Sequence, residues 1–399
     1  MTPTSQINIQ FNIIPAFKKL PSTKGKWVAY LRKDGWDDWG KFCTMFQLIV
    51  VDPQGKQHKI GDIKIGQRGL KPLPKRPKKG HRSPALKDSF VKLNDQFFSL
   101  GQSAEYYDEL KQLGDSVRIS ILRRLNDVAW DSNRWEEVQN EEVMTESLLR
   151  FVTSRTVVGQ FRRMAHGDAK LTPFSFSYEP PGNPPLDFAV DPKSPIPSNI
   201  HVLIGRNGVG KTHLLNNLTQ AVLGDDEQCR GTFRLSERGN NGSFANLISV
   251  SFSAFDDLKV PPDRKSEIDE IGFSFIGLRR SNGELKPKEE LVKEFISSLN
   301  ECQVGTRKKR WEHMIERLQS DPVFRAAQLE SMFSHDSSEG KANIENIFGR
   351  LSSGHKIVLL TLTRLIEKVE ERSLVLIDEP EAHLHPPLLS AMTRALSDL

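Results

Sequence analysis

Ile200-His201-Val202-Leu203-Ile204 runs into Gly205-Arg206-Asn207-Gly208-Val209-Gly210-Lys211-Thr212, and the reading of this stretch decides the fold class. The first five residues are a short β-branched run of the kind that predicts a buried strand. The next eight match the pattern G-x-x-x-x-G-K-[S/T] in full. A helix is predicted after them, with Leu214, Leu215, Leu218, Ala221 and Val222 on one face and Gly224 as its stop. Glycines here let backbone N–H groups turn inward around a phosphate, and the helix start adds partial positive charge. Gly205, Asn207, Gly208, Gly210, Lys211, Thr212 and His213 are therefore the candidate cofactor-binding residues. Lys211 would neutralise the β and γ oxygens of a nucleoside triphosphate, and the Thr212 hydroxyl would ligate Mg2+. A chance glycine-rich turn could give the same eight letters, but the flanking strand and helix argue against it.

A second segment supplies the acids. Leu374-Val375-Leu376-Ile377 is an apolar run that ends in Asp378-Glu379-Pro380. Four consecutive apolar residues predict a strand buried on both faces of a parallel sheet. Acids at its C-terminal end stand where α/β folds place ligands. Asp378 is the second candidate Mg2+ ligand, and Glu379 is placed to polarise an attacking water. Leu247–Phe252 reads as a further strand, and Ser251, Ser253 or Asp256 at its end is a candidate contact to Mg2+ or water.

Leu351-Ser352-Ser353-Gly354-His355-Lys356 precedes the acidic strand by one amphipathic helix, with Ile357, Leu360, Leu365, Ile366 and Val369 as its apolar positions. On these residues alone, Ser352 or Ser353 could do no more than cap that helix. In the order of its three motifs, however, the chain resembles the ABC ATPase superfamily, whose signature is LSGGQ. The resemblance covers about residues 170–399. It implies a P-loop ABC-type α/β core that binds ATP with Mg2+. It also implies that Ser352, Ser353 and Gly354 contact the γ-phosphate held by a second subunit, with Ser353 taking part in catalysis beside Lys211 and Glu379. ATP would then join two copies head to tail, as a dimer or a higher oligomer.

Asp378-Glu379-Pro380-Glu381-Ala382-His383-Leu384-His385-Pro386 is similar to the DEPExHLHP stretch of OLD-like and RecF-like ATPases. Transporter subunits differ here, and the resemblance points away from them. Within this group the chain looks like the PtuA-type ATPases of Septu and some retron-linked anti-phage systems, which implies a nuclease partner of the HNH kind. His383 and His385 read better as shaping a dimer contact than as metal ligands, because two histidines make a poor ligand set. Two departures stand out. No glutamine follows the Leu247–Phe252 strand. The residues after His385 include no histidine for the switch position, so an incomplete core is expected. The alternatives are a DNA-repair ATPase of the RecF or SMC kind and a nucleotide-controlled binding module with little turnover. Sustained heptads, which would favour SMC, are not found.

The remaining sequence sets broad bounds. With 399 residues, the chain is expected to form two or three packed units. We read residues 1–145 as an α+β accessory domain and 146–399 as the ATPase core, with a helical insertion at about 260–350. In the first part, WVAYLR, FCTMFQLIVVD and HKIGDIKIG predict strands over residues 27–66, with a turn at Asp52-Pro53-Gln54-Gly55. Helices are predicted over 86–128 and Thr145–Met164. Farther on, FSFSYE and LDFAVD alternate like paired strands. No apolar run approaches the ~20 residues of a membrane span. Met1–Phe17 lacks the pattern of a secretory leader, so a cytoplasmic location is expected. Cys43, Cys229 and Cys302 are too dispersed for a disulfide framework or a metal site. Net charge is +5, which permits nucleic-acid contact without demanding it. Lys71–Arg82 carries six Lys or Arg in twelve residues. We read it first as a solvated loop and second as a contact to DNA or RNA, and Arg307-Lys308-Lys309-Arg310 likewise.

Overall fold

A computed structural model describes residues 7–36, 38, 40–72, 82–224, 230–235, 243–252, 260–264, 270–303, 305–333, 338–381 and 384–397. The chain divides into two compact units, Met1–Lys170 and Leu171–Leu399. The division thus falls later than the 145/146 boundary read from sequence. The reason is burial: Met144, Leu148, Val157, Phe161 and Met164 all pack into the core of the first unit. The expected single helix over Thr145–Met164 is instead a series of short turns, including π-helical segments at Met144–Leu148 and Val157–Phe161.

The first unit is built on a six-stranded sheet in the order β5-β1-β2-β3-β4-β6. Its strands are β1 Gln10–Ile14, β2 Val28–Lys33, β3 Met45–Val51, β4 Gln57–Gln67, β5 Ser89–Phe90 and β6 Phe97–Gly101. β1 runs parallel to β2, and the other pairs are antiparallel. The turn between β3 and β4 is made by Asp52, whose Oδ1 accepts from Gln54 N at 3.0 Å and Lys56 N at 2.8 Å. Gly55 takes φ +89° there, a conformation that side chains disfavour. The segment expected to be helical over 86–128 contains β5 and β6. Helices follow only at Ala104–Gln112 and Asp115–Arg124. Phe97, Phe98, Ser99 and Leu100 are buried at four successive positions, which suits a strand covered on both faces.

Among its described residues the second unit holds two sheets. β7 Phe174–Glu179 pairs antiparallel with β8 Leu186–Val190 on one side and β9 Thr232–Leu235 on the other. The parallel sheet has the order β11-β10-β12, with β10 Asn246–Ser251, β11 Gly272–Gly277 and β12 Ser373–Asp378. Alternation along β10 sends Ile248 and Val250 toward a helical lobe and Leu247 toward the opposite core. On that opposite side Leu218 and Val222 of the helix Lys211–Leu223 pack with Phe174, Phe176 and Tyr178 of β7. The lobe comprises helices Lys288–Glu301, Gly305–Leu318, Pro322–Ala326 and Ser338–Arg350. Its first helix begins at Lys288, because the earlier part of the segment read as helical contributes β11 to the sheet. Lobe and sheet meet on Ser353–Lys368, a 16-residue helix buried around most of its girth. Trp311 Nε1 donates to Thr363 Oγ1 at 3.1 Å and anchors that helix. The buried Cys302 thiol is pushed up to about 12 by desolvation, so this cysteine is a packing residue. Among the described residues no helix is long and apolar enough to cross a membrane.

Two expectations need correction. Ile200–Ile204 forms no strand: Val202 is 75% and Ile204 94% exposed. A β-branched run is buried only where a sheet edge receives it, and no described strand pairs with this one. β12 faces apolar clusters on both sides, Leu374 and Leu376 toward one and Val375 and Ile377 toward the other, but it is less deeply buried than expected. It lies at the edge of the three described parallel strands, and of its side chains only Leu376 is fully buried.

Asp127 illustrates how the first core is tied together. Its Oδ1 accepts from Ala129 N and Trp130 N, both at 3.0 Å, and its Oδ2 from the Tyr107 hydroxyl at 3.1 Å. Burial nevertheless raises its carboxyl to about 7, outweighing the bonds that lower it. An unfolded aspartate loses its proton near pH ~3.9. Between these values the folded state holds one proton more than the unfolded state, so this group's contribution to stability falls as pH rises through the window and is flat above it. Asp127→Asn cannot titrate. Its urea midpoint relative to the parent chain is expected to shift in the variant's favour from pH 4 to pH 7, and to stay constant from pH 7 to pH 9. The change should reach a few kcal/mol, at ~1.4 kcal/mol per tenfold change in proton affinity. Parallel pH curves for the two proteins would show that Asp127 is charged throughout.

Candidate functional site

The phosphate-loop geometry follows from its glycines. Gly208 and Gly210 take φ +80° and +97°, which turn the backbone into the helix Lys211–Leu223. At Gly205 a Cβ would stand 2.8 Å from Val209 Cγ1, so a side chain there would push the exposed Val209 aside. Lys211 Nζ donates to Gly205 O at 3.0 Å and Arg206 O at 3.3 Å, lying across the mouth of the loop. Gly205, Asn207, Gly208, Gly210 and His213 are exposed, and Lys211 and Thr212 are half-buried at the helix start. Gly224, at φ +78°, ends the helix as read from sequence. The helix packs against β10 and β12.

Parallel pairing places Ser251 at the end of β10 opposite Asp378 at the end of β12. Of the three candidates at the end of that strand, Ser251 is thus set beside the acids, whereas Ser253 and Asp256 lie outside the described residues. Asp378 is half-buried, and Glu379 is exposed. Glu379 takes φ +43°, the left-handed region that costs a residue with a side chain about 1 kcal/mol or more. Such strain is held where surrounding structure fixes it, and it ends the strand at this residue. The Thr212 hydroxyl, the Ser251 hydroxyl and the Asp378 carboxylate are hard oxygen donors of the kind Mg2+ takes.

Ser352 is the N-cap of the helix Ser353–Lys368, at φ −65° and ψ 166°, and its hydroxyl accepts from His355 N. Ser352 and Ser353 are exposed, while Gly354 and His355 are buried. The capping role and an outward-facing helix start therefore coexist. Sequence reasoning missed one partner of this segment. His355 Nε2 lies 3.1 Å from Asp321 Oδ1, and His355 Nδ1 lies 2.6 Å from Ser352 Oγ. Asp321-Pro322 carries the signal of a helix cap, and it does cap Pro322–Ala326, but nothing local links it to His355. Its carboxyl is held below the usual range: burial would raise it, and bonds from Val323 N, His355 and Phe324 N outweigh that. His383 lies outside the described residues, as do Cys229 and most of the basic run Lys71–Arg82.

The family described as "AAA domain, putative AbiEii toxin, Type IV TA system" matches residues 226–399. That span holds Ser352–His355, Asp378 and Glu379, and it starts after the phosphate loop. Protein ea59 of Escherichia phage lambda is 37% identical over 419 aligned residues, covering 98% of this chain and 78% of the lambda protein. The chain belongs to the ea59 family. Its α/β second unit is a P-loop ATPase domain of the AAA type. The comparison with solved structures found no match.

Glu379→Gly relieves the backbone strain and removes the carboxylate. The variant is expected to melt at or above the temperature of the parent chain, by up to about 1 kcal/mol of added stability, and to lose ATP turnover. A melting temperature several degrees lower would show that the glutamate carries packing that the strain argument leaves out.

Proposed function

We propose that this chain binds ATP with Mg2+ and hydrolyses it in composite sites formed when two copies meet head to tail. Lys211, Thr212, Asp378 and Glu379 act within one copy, and Ser353 and Gly354 reach the γ-phosphate of the other. The cycle serves as the sensor or scaffold of an anti-phage defence complex that holds or releases a nuclease partner. The observation that supports this reading best is the parallel register that sets Asp378 beside Ser251, with Glu379 held out of helical and strand geometry immediately after. A hydrolytic base must project from its strand toward a metal-bound phosphate, and this arrangement suits that task. The exposed Ser352 and Ser353, on a helix otherwise buried, suit an anion brought by a second copy.

A second reading is a nucleotide-controlled binding module with little turnover. It is favoured by the exposed Ile200–Ile204 segment, because a phosphate loop not clamped to its sheet positions the nucleotide less rigidly.

The mass in solution, with and without ATP–Mg2+, separates these readings when the parent chain is compared with Glu379→Gln. The composite-site reading expects a dimer that forms or tightens with ATP in Glu379→Gln and that relaxes with turnover in the parent chain. Lys211→Ala should lose nucleotide binding and dimerisation together. A mass indifferent to nucleotide, in a chain shown to bind ATP, would remove the head-to-tail scheme. ATP-driven dimers of the parent chain that persist without phosphate release would favour the binding module.

A further inference from the structure

Asp321, His355 and His385 come from three separate segments: the start of a short lobe helix, the first turn of Ser353–Lys368, and the residue before the helix Pro386–Ser397. One ligand atom from each lies within 4.8 Å of the other two. Asp321 and His355 are 5% and 4% exposed, and His385 faces solvent. The His355 and His385 rings stand 5.9 Å apart at 62°, and Phe324 packs edge-on to His355 at 4.9 Å.

We propose that Asp321, His355 and His385 form a site for a divalent transition metal, of which Zn2+ is the best fit. Two imidazoles and a carboxylate suit Zn2+, Co2+ or Ni2+ better than Mg2+ or Ca2+. The site shares no ligand with the nucleotide's Mg2+ set. Bonds of ~2.0–2.1 Å at tetrahedral angles place ligand atoms about 3.3 Å apart. The Asp321–His355 pair is already at that separation, at 3.1 Å. The exposed His385 supplies the remaining contraction, and solvent or an anion takes the fourth position. Asp321 Oδ1 keeps the bonds from Val323 N and Phe324 N that orient it, and exchanges only the one from His355 Nε2 for the metal. Leu388 N donates to His385 O at 3.0 Å, so its longer contact of 3.3 Å to His385 Nδ1 is easily given up.

A metal here would act on the helix start through a tautomer. With Nε2–H donating to Asp321, His355 Nδ1 is an acceptor for the Ser352 hydroxyl. A metal on Nε2 requires the neutral ring to carry its proton on Nδ1, which then donates to Ser352 Oγ. The proton moves from one ring nitrogen to the other, and the Ser352 hydroxyl is freed to point its own proton outward. That last consequence rests on the reading of Ser352 and Ser353 as an anion contact; metal capture does not.

The test uses the full chain, stripped with chelator and free of nucleotide, titrated with Zn2+ by calorimetry and with Co2+ by visible absorption. One equivalent is expected, with the intense visible bands of low-coordinate cobalt. His385→Ala should weaken binding at least ~10-fold while leaving the melting curve unchanged without metal, since His385 is exposed. Glu379→Gln should bind as the parent chain does. No binding, or equal affinity in His385→Ala, overturns the proposal. Because no nucleotide is present, either result is independent of whether the composite ATP site exists.

Discussion

β10 and β12 lie far apart in the chain, yet they run side by side in parallel, and parallel neighbours need a long crossover between them. Here the crossover holds β11, the helical lobe and the helix Ser353–Lys368. The two strand ends therefore bring Ser251, Asp378 and Glu379 to one place only if that whole excursion folds. Burial of Val358, Leu359, Leu360, Leu362, Leu365 and Ile366 drives it, because this helix supplies apolar surface to both sheet and lobe. The second unit is organised around that packed helix, at whose start only Ser352 and Ser353 are exposed.

The acidic strand and the helix start are linked by a further polar chain. Ser352, His355 and Asp321 join helix start to lobe, and His385 adjoins His355 from the segment after the acids. A buried polar group is retained only when its partners are in place. The bonds among Ser352, His355 and Asp321 consequently tie the lobe to the start of Ser353–Lys368. Membership of the ea59 family gives the chain its lineage, while the P-loop ATPase domain gives the second unit its chemistry.

Much of this was legible before any coordinates. The glycine spacing of Gly205–Lys211 prescribes a turn into a helix, and the structure has that turn with Gly208 and Gly210 at positive φ. The turn at Asp52–Gly55, the pairing of FSFSYE with LDFAVD and the strand ending in Asp378 were equally local: each depends on side chains within a few residues. Other readings failed where neighbours decide. Ile200–Ile204 has the composition of a buried strand, but a strand exists by virtue of its partner, and none of the described strands pairs with it. Residues 146–170 were read as part of the second unit but belong to the first, because periodicity shows which face is apolar, never which core receives it.

Sequence by itself determined the phosphate loop, the acid pair and the helix start, because each is a short pattern whose geometry is set by glycine conformational freedom, capping and strand polarity. Tertiary structure alone decided that Ser251 faces Asp378, that Glu379 sits in a left-handed conformation, and that Asp321 reaches His355. Those relations join residues separated by many turns of chain. They come from the packing of a sheet and a lobe around one helix, which no local pattern encodes.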